Sequence, residues 1–143
     1  MNEADDLARR VAQTLLKREG AGPAWGVEIE DAREGYARIR MSVRDDMLNG
    51  HRSAHGGMIF ALADTAFAYA CNSRNEMTVA QSATIAFLAP AAAGEVLVAE
   101  AREQSRAGRS GVYHVSVRTG DGRVVAEFTG LSRTIGGAVL GGT

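Results

Sequence analysis

The sequence is poor in the features that announce a special environment. Its single cysteine, Cys71, has no internal partner for a disulfide, and no Cys and His residues cluster at the spacing of a zinc site, so no metal is expected. A reducing compartment suits such a chain, and the cytoplasm is its expected location. Charge of one sign is also missing. Sixteen basic residues stand against seventeen acidic ones, for a net charge of -1, which leaves no electrostatic footprint for a nucleic acid partner. No apolar run approaches the ~20 residues of a membrane span, and the chain opens with Asn2, Glu3, Asp5 and Asp6 where an export signal has a basic segment. An unexported protein with no membrane partner is expected. There is no internal repeat and no low-complexity block. What the chain does have is 45% hydrophobic residues in a length of 143, the size of one domain with a real core.

Periodicity organises that domain, read as one unit over 1–143. Over 1–20, the apolar positions Leu7, Ala8, Val11, Ala12, Leu15 and Leu16 recur at three and four residues, which predicts an amphipathic N-terminal helix. Strict alternation from Tyr36 to Arg44 predicts a strand with one wet face, paired as a hairpin with Trp25 to Ile29 through a turn at Asp31 to Gly35. Gly56 to Cys71 is apolar on every side and rich in alanine, so a buried central helix is expected there. Four β-rich segments follow: Thr78 to Ala89, Glu95 to Glu103, Val112 to Arg118, and Val124 to Thr134. The tail, 136–143, holds four glycines and is read as mobile. One central helix against a curved antiparallel sheet, with an N-terminal helix added, is an α+β domain of the hotdog arrangement, although element order alone also fits other α+β sandwiches.

Between Arg52 and Arg74 the only formally charged side chain is Asp64, in the middle of the apolar helix. Its neighbours three and four positions away are Phe60, Ala61, Phe67 and Ala68, so its own helix offers no cation. A desolvated carboxylate without a partner has a raised pKa and suits a general base or nucleophile. The plainer reading is a structural aspartate satisfied by a hydroxyl such as that of Thr65, or one facing water at a subunit edge. His55-Gly56-Gly57 opens the same helix, where glycines admit a ligand to the backbone and free N–H groups favour an oxyanion. An ordinary flexible start to a helix has the same residues. Asn49 is either an amide donor to a carbonyl or water, or part of an Asn-Gly turn, and His55 can cap the helix, donate to a substrate or hold the loop. Arg106 and Arg109 flank a hairpin turn and can receive phosphates or be merely solvated. Phe60, Ala61, Ala83 and Phe87 can shape an aryl pocket or pack the core. Gly56 and Asp64 lie eight positions apart, ~12 Å along one helix. If both act on one carbonyl, Asp64 must come from a second subunit, so the catalytic reading requires a dimer with two shared sites.

Met47-Leu48-Asn49-Gly50-His51, His55-Gly56-Gly57 and the run from Leu62 to Ser73 closely resemble the PaaI-type acyl-CoA thioesterases of bacterial phenylacetate catabolism. Phe87-Leu88-Ala89-Pro90, Gly111-Val112-Tyr113 and Ile135-Gly136-Gly137 extend the resemblance over nearly the whole chain. It implies a hotdog fold, a tetramer of two dimers, and hydrolysis of phenylacetyl-CoA and ring-hydroxylated relatives with no metal or bound cofactor, coenzyme A being part of the substrate. By the same resemblance the catalytic carboxylate is Asp64, the oxyanion donor is the Gly56 N–H, and Asn49 and His55 support them. Gly57 and Thr65 are the further substrate contacts expected, with Arg106 and Arg109. The competing readings are a non-catalytic acyl-CoA-binding protein on the same scaffold, a thioesterase for medium-chain or benzoyl-type esters, and an enoyl-CoA hydratase.

Overall fold

The computed structural model describes residues 2–141. Helix α1 (Glu3–Arg18) begins where the Asn2 side chain accepts from the Asp5 N–H at 2.8 Å, with Glu3, Asp5 and Asp6 in its first turn and Lys17 and Arg18 in its last. That arrangement opposes the helix dipole at both ends. Ala8, Val11 and Ala12 form its buried face. The short α2 (Ala21–Ala24) follows, and here the expected hairpin is corrected. Trp25 still donates to the Ala21 carbonyl as part of that helical turn, and Gly26 turns the chain at φ +68°. The strand β1 therefore runs over Glu28–Arg33, and the turn to β2 (Tyr36–Ser42) shrinks to Glu34 and Gly35.

Helix α3 (Gly56–Cys71) has the limits expected of it. The remaining strands are β3 (Thr78–Phe87), β4 (Val96–Ala107), β5 (Ser110–Thr119) and β6 (Val124–Thr134). The β4–β5 hairpin is longer than the apolar pattern predicts, because its outer end is charged and hydrogen-bonded but carries little core. Among the described residues six strands form one antiparallel sheet in the order β1-β2-β4-β5-β6-β3. Only β3 is out of sequence. The chain leaves β2, crosses one face of the sheet as α3, and returns on the far edge. This is the hotdog arrangement, with α1 laid over β1 and α3.

The core lies between α3 and the sheet, where Leu62, Ala66, Phe67 and Ala70 meet Ile39, Leu97, Val115 and Phe128. The Phe67 ring fits because residue 130 is glycine: a Cβ there would stand 2.7 Å from the ring. The sheet does not wrap α3 completely. Phe60, Ala61, Asp64, Thr65 and Ala68 form a half-buried stripe along its open side, so a helix apolar all round keeps one side uncovered in the single chain. The far edge is open in the same way, since among the described residues β3 pairs only with β6 and exposes Val79 and Phe87. The tail is packed as far as it is described: Val139 is buried and the Leu140 N–H donates to Asn75 Oδ1 at 2.7 Å. Residues 142–143 of the expected mobile segment lie outside the described residues.

Candidate active site

A hollow of about 380 Å³ opens at the N-terminal end of α3, lined among others by Asn49, His51, Gly56, Phe87, Leu88 and Pro90. Hydrogen bonds there sort the candidate residues by role. His55 caps the helix: its Nδ1 accepts from the Gly57 N–H at 2.8 Å, and its carbonyl accepts from the Met58 and Ile59 N–H groups. An accepting Nδ1 puts the imidazole proton on Nε2. The Gly57 N–H, expected to face a substrate, is consumed by this cap. The Gly56 N–H makes no hydrogen bond among the described residues and is the unspent donor at the positive end of α3. The Phe87 ring lies over Gly56, where a Cβ would stand 3.2 Å from its Cζ.

Asn49 combines its two expected readings. Its Oδ1 accepts from the His51 and Ser53 N–H groups at 2.9 and 3.1 Å, closing the loop before α3. The acceptor is spent on the turn, and the Nδ2 hydrogens, without a partner among the described residues, remain as donors at the hollow. The loop is further held by the Leu48–Ala54 bridge and by the His55 N–H donating to the Met47 carbonyl.

Asp64 lies eight residues along α3 on the uncovered stripe. Burial alone pushes its carboxyl above its ordinary value; neither a cation nor a hydrogen bond offsets that push among the described residues. Thr65 is no partner to it, since its hydroxyl donates to the Ala61 carbonyl at 2.7 Å. Cys71 is buried, and its thiol is pushed up to about 12 chiefly by desolvation, with Asp64 adding to the rise; it is inert packing. His114 sits on the outer face of the sheet, 2.5 Å from Glu127.

The chain does not bring all the candidates together. Arg106 and Arg109 stand at the other end of α3, around a polar cleft shared with Arg74, Glu76 and Ser110. From Gly56 to Cys71 the helix rises ~22 Å, so these arginines cannot serve the hollow of their own chain. Arg106 already meets Glu76 at 3.5 Å, which the sequence spacing did not reveal. Sequence reasoning also missed the pairing of Tyr69 with Glu19, which only the packing of α1 on α3 creates.

The thioesterase superfamily model matches residues 51–126. The chain is 42% identical to acyl-coenzyme A thioesterase PaaI of Escherichia coli K12 over 130 residues, covering 91% of this chain and 93% of that one. The solved structure of E. coli PaaI, from the phenylacetic acid degradation operon, superposes with a TM-score of 0.93 at 40% identity, covering 95% and 99% of the two chains. A variant of the phenylacetic acid degradation protein PaaI from Thermus thermophilus gives 0.79 at 36% identity, over 82% of this chain and 100% of that one. A hypothetical thioesterase protein of Streptococcus pneumoniae, solved with coenzyme A, gives 0.74 at 25% identity, over 77% and 89%.

Proposed function

The chain belongs to the thioesterase superfamily, among its PaaI-type thioester hydrolases, and from that premise we propose that it cleaves aryl-acetyl-CoA thioesters to the free acid and coenzyme A in sites shared between two copies. One observation carries the proposal. The unspent N–H of Gly56 and the unpaired carboxylate of Asp64 belong to one straight helix, with ~12 Å between them. Two α3 helices running antiparallel about a twofold axis bring each Gly56 to the other copy's Asp64, and no arrangement within one chain does. The uncovered stripe of α3 and the open edge of β3 supply apolar surface for such a pairing.

In that arrangement the thioester carbonyl accepts from the Gly56 N–H at the positive end of α3. Asp64 of the second copy takes a proton from water as the water oxygen bonds to the carbonyl carbon. The negative charge that develops on the carbonyl oxygen is held by the Gly56 donor. Collapse breaks the C–S bond, and the departing sulfur receives the proton from Asp64. The raised carboxyl pKa favours this use of Asp64 as a base. His55 fixes the helix start and thereby the direction of the Gly56 N–H, while the Asn49 amide holds either the carbonyl or the water. Antiparallel pairing also carries Arg106 and Arg109 of one chain toward the hollow of the other, where they meet the phosphates of coenzyme A.

Release of free thiol from phenylacetyl-CoA tests the reading. The wild-type chain is expected to turn over, and Asp64→Asn to lower kcat by about 10²–10⁴, the usual worth of a positioned base. A wild-type chain that binds the ester without releasing thiol supports the binding-protein reading in its place. Loss of enoyl absorbance with a 2-enoyl-CoA would point to a hydratase.

A further inference from the structure

A second hollow, of about 260 Å³, lies one helical turn beyond Asp64 on the same uncovered stripe, at Ala68. Its apolar walls come from Leu15 of α1, Met77 ahead of β3 and Val139 of the C-terminal segment. An apolar cavity of about 150 Å³ already holds a benzene ring, so the space is ample for one. At its inner end Tyr69 donates its hydroxyl proton to Glu19 Oε1 at 2.5 Å. Glu19 Oε2 has no partner among the described residues and is left to accept a further hydrogen bond. Four residues of helix rise ~6 Å, which puts this opening within reach of the outer acyl atoms of a substrate whose carbonyl carbon stands beside Asp64.

We infer that this hollow takes the acyl group, with a ring against Leu15, Ala68 and Val139 and a ring hydroxyl donating to Glu19, and that the acyl group therefore lies in the chain that supplies Asp64. The inference rests on the hydrolase reading above. It makes α1 and the C-terminal segment specificity elements although neither touches the reacting bond. The segment is built to stay in place: the Met77 N–H donates to the Gly137 carbonyl and the Ile135 N–H to the Met77 carbonyl. Gly136 and Gly137, at φ +94° and +90°, turn the chain so that Val139 comes back onto the hollow and is buried there.

The test compares kcat/KM for phenylacetyl-CoA, 4-hydroxyphenylacetyl-CoA and propionyl-CoA. Ala68→Leu fills the mouth of the hollow and is expected to lower the phenylacetyl-to-propionyl ratio by about 10-fold or more, since each added or lost methylene in such a pocket changes discrimination by roughly 10–200-fold. Val139→Phe, on the opposite wall, repeats the test should Ala68→Leu not fold. Glu19→Gln is expected to lower the hydroxyphenylacetyl-to-phenylacetyl ratio by about 10-fold, a selectivity change that a purely structural role for Glu19 does not produce. Variants that lower all three esters by one common factor overturn the assignment. A wild-type chain that cleaves none of them overturns the hydrolase reading itself, and is seen before any variant is made.

Discussion

The two edges of the sheet are built to opposite rules. β1, the edge beside α1, reads Glu-Ile-Glu-Asp-Ala-Arg, and its charges are engaged: Glu30 with Arg38 at 3.0 Å, Glu28 with Arg40 at 3.1 Å, and Asp31 with Arg33 at 3.1 Å. Charged side chains and the covering helix discourage another strand from pairing there. β3 is ten residues long and contains no charge and no proline, with Val79 and Phe87 about half exposed. A long, neutral edge is a template for strand addition. The difference leaves one edge covered and charged and the other open and neutral, and the open edge shares a hollow with Ala68 of the Asp64 stripe.

The largest effect is expected from making the second edge resemble the first. Ser82→Lys together with Thr84→Lys places four like charges across the proposed twofold. The doubly substituted chain should sediment as a monomer and lose thiol release by about 10³ or more, because each site loses its base or its donor. Glu28→Lys on β1, by contrast, should leave both sedimentation and turnover as they are and shift stability by no more than about 0.5 kcal/mol. A monomeric β3 variant with full activity would remove the shared site. A sharper form of the comparison uses complementation. Gly56→Val, whose side chain meets the Phe87 ring, and Asp64→Asn should each be nearly inactive; mixed and allowed to exchange subunits, they should recover about a quarter of wild-type activity, since half the pairs are mixed and each mixed pair has one intact site.

The next effect is a pH dependence. Burial raises the Asp64 pKa above its ordinary value of 3.8. As a base Asp64 must be ionised, so kcat/KM should rise with pH through this raised pKa and then level off, its acid limb lying above the ordinary aspartate value. Stability has the opposite sign. The folded chain holds the proton more tightly than the unfolded chain, so the raised pKa withdraws stability as pH climbs from 3.8 through the folded value. Asp64→Asn, which cannot ionise, should show a higher urea midpoint than wild type at pH 7 and no such advantage below pH 3.8. The smallest effect belongs to Arg109→Ala. It should raise KM for coenzyme A esters several-fold and leave the KM of the matching pantetheine esters, which lack the nucleotide, unaffected.

Much of this is legible in the sequence. The limits of α3 could be read because a run of alanine and large apolar residues begins at paired glycines and stops at Asn72 and Ser73. Asp64 stood out because it is the lone charge in that run. Trp25 misled because an apolar residue two positions from Val27 looks like strand alternation, while the local hydrogen bonds close a helical turn. The division of labour at the start of α3 was not legible either. Gly56 and Gly57 are identical residues without side chains, and only the placement of the His55 imidazole decides which of their donors is spent. Contacts made across the fold, such as Glu19 with Tyr69 or Arg106 with Glu76, have no local pattern to reveal them.

The eight-residue spacing from Gly56 to Asp64 has a midpoint at Phe60, which rests on the open side of α3 with its ring edge-on to Phe128, centroids 5.5 Å apart. In a symmetric pair the midpoint residue meets its own image, so one codon writes both halves of that contact. In the proposed twofold pair a substitution at Phe60 would therefore be counted twice at the same point in space, and the new side chain would have to fit against itself.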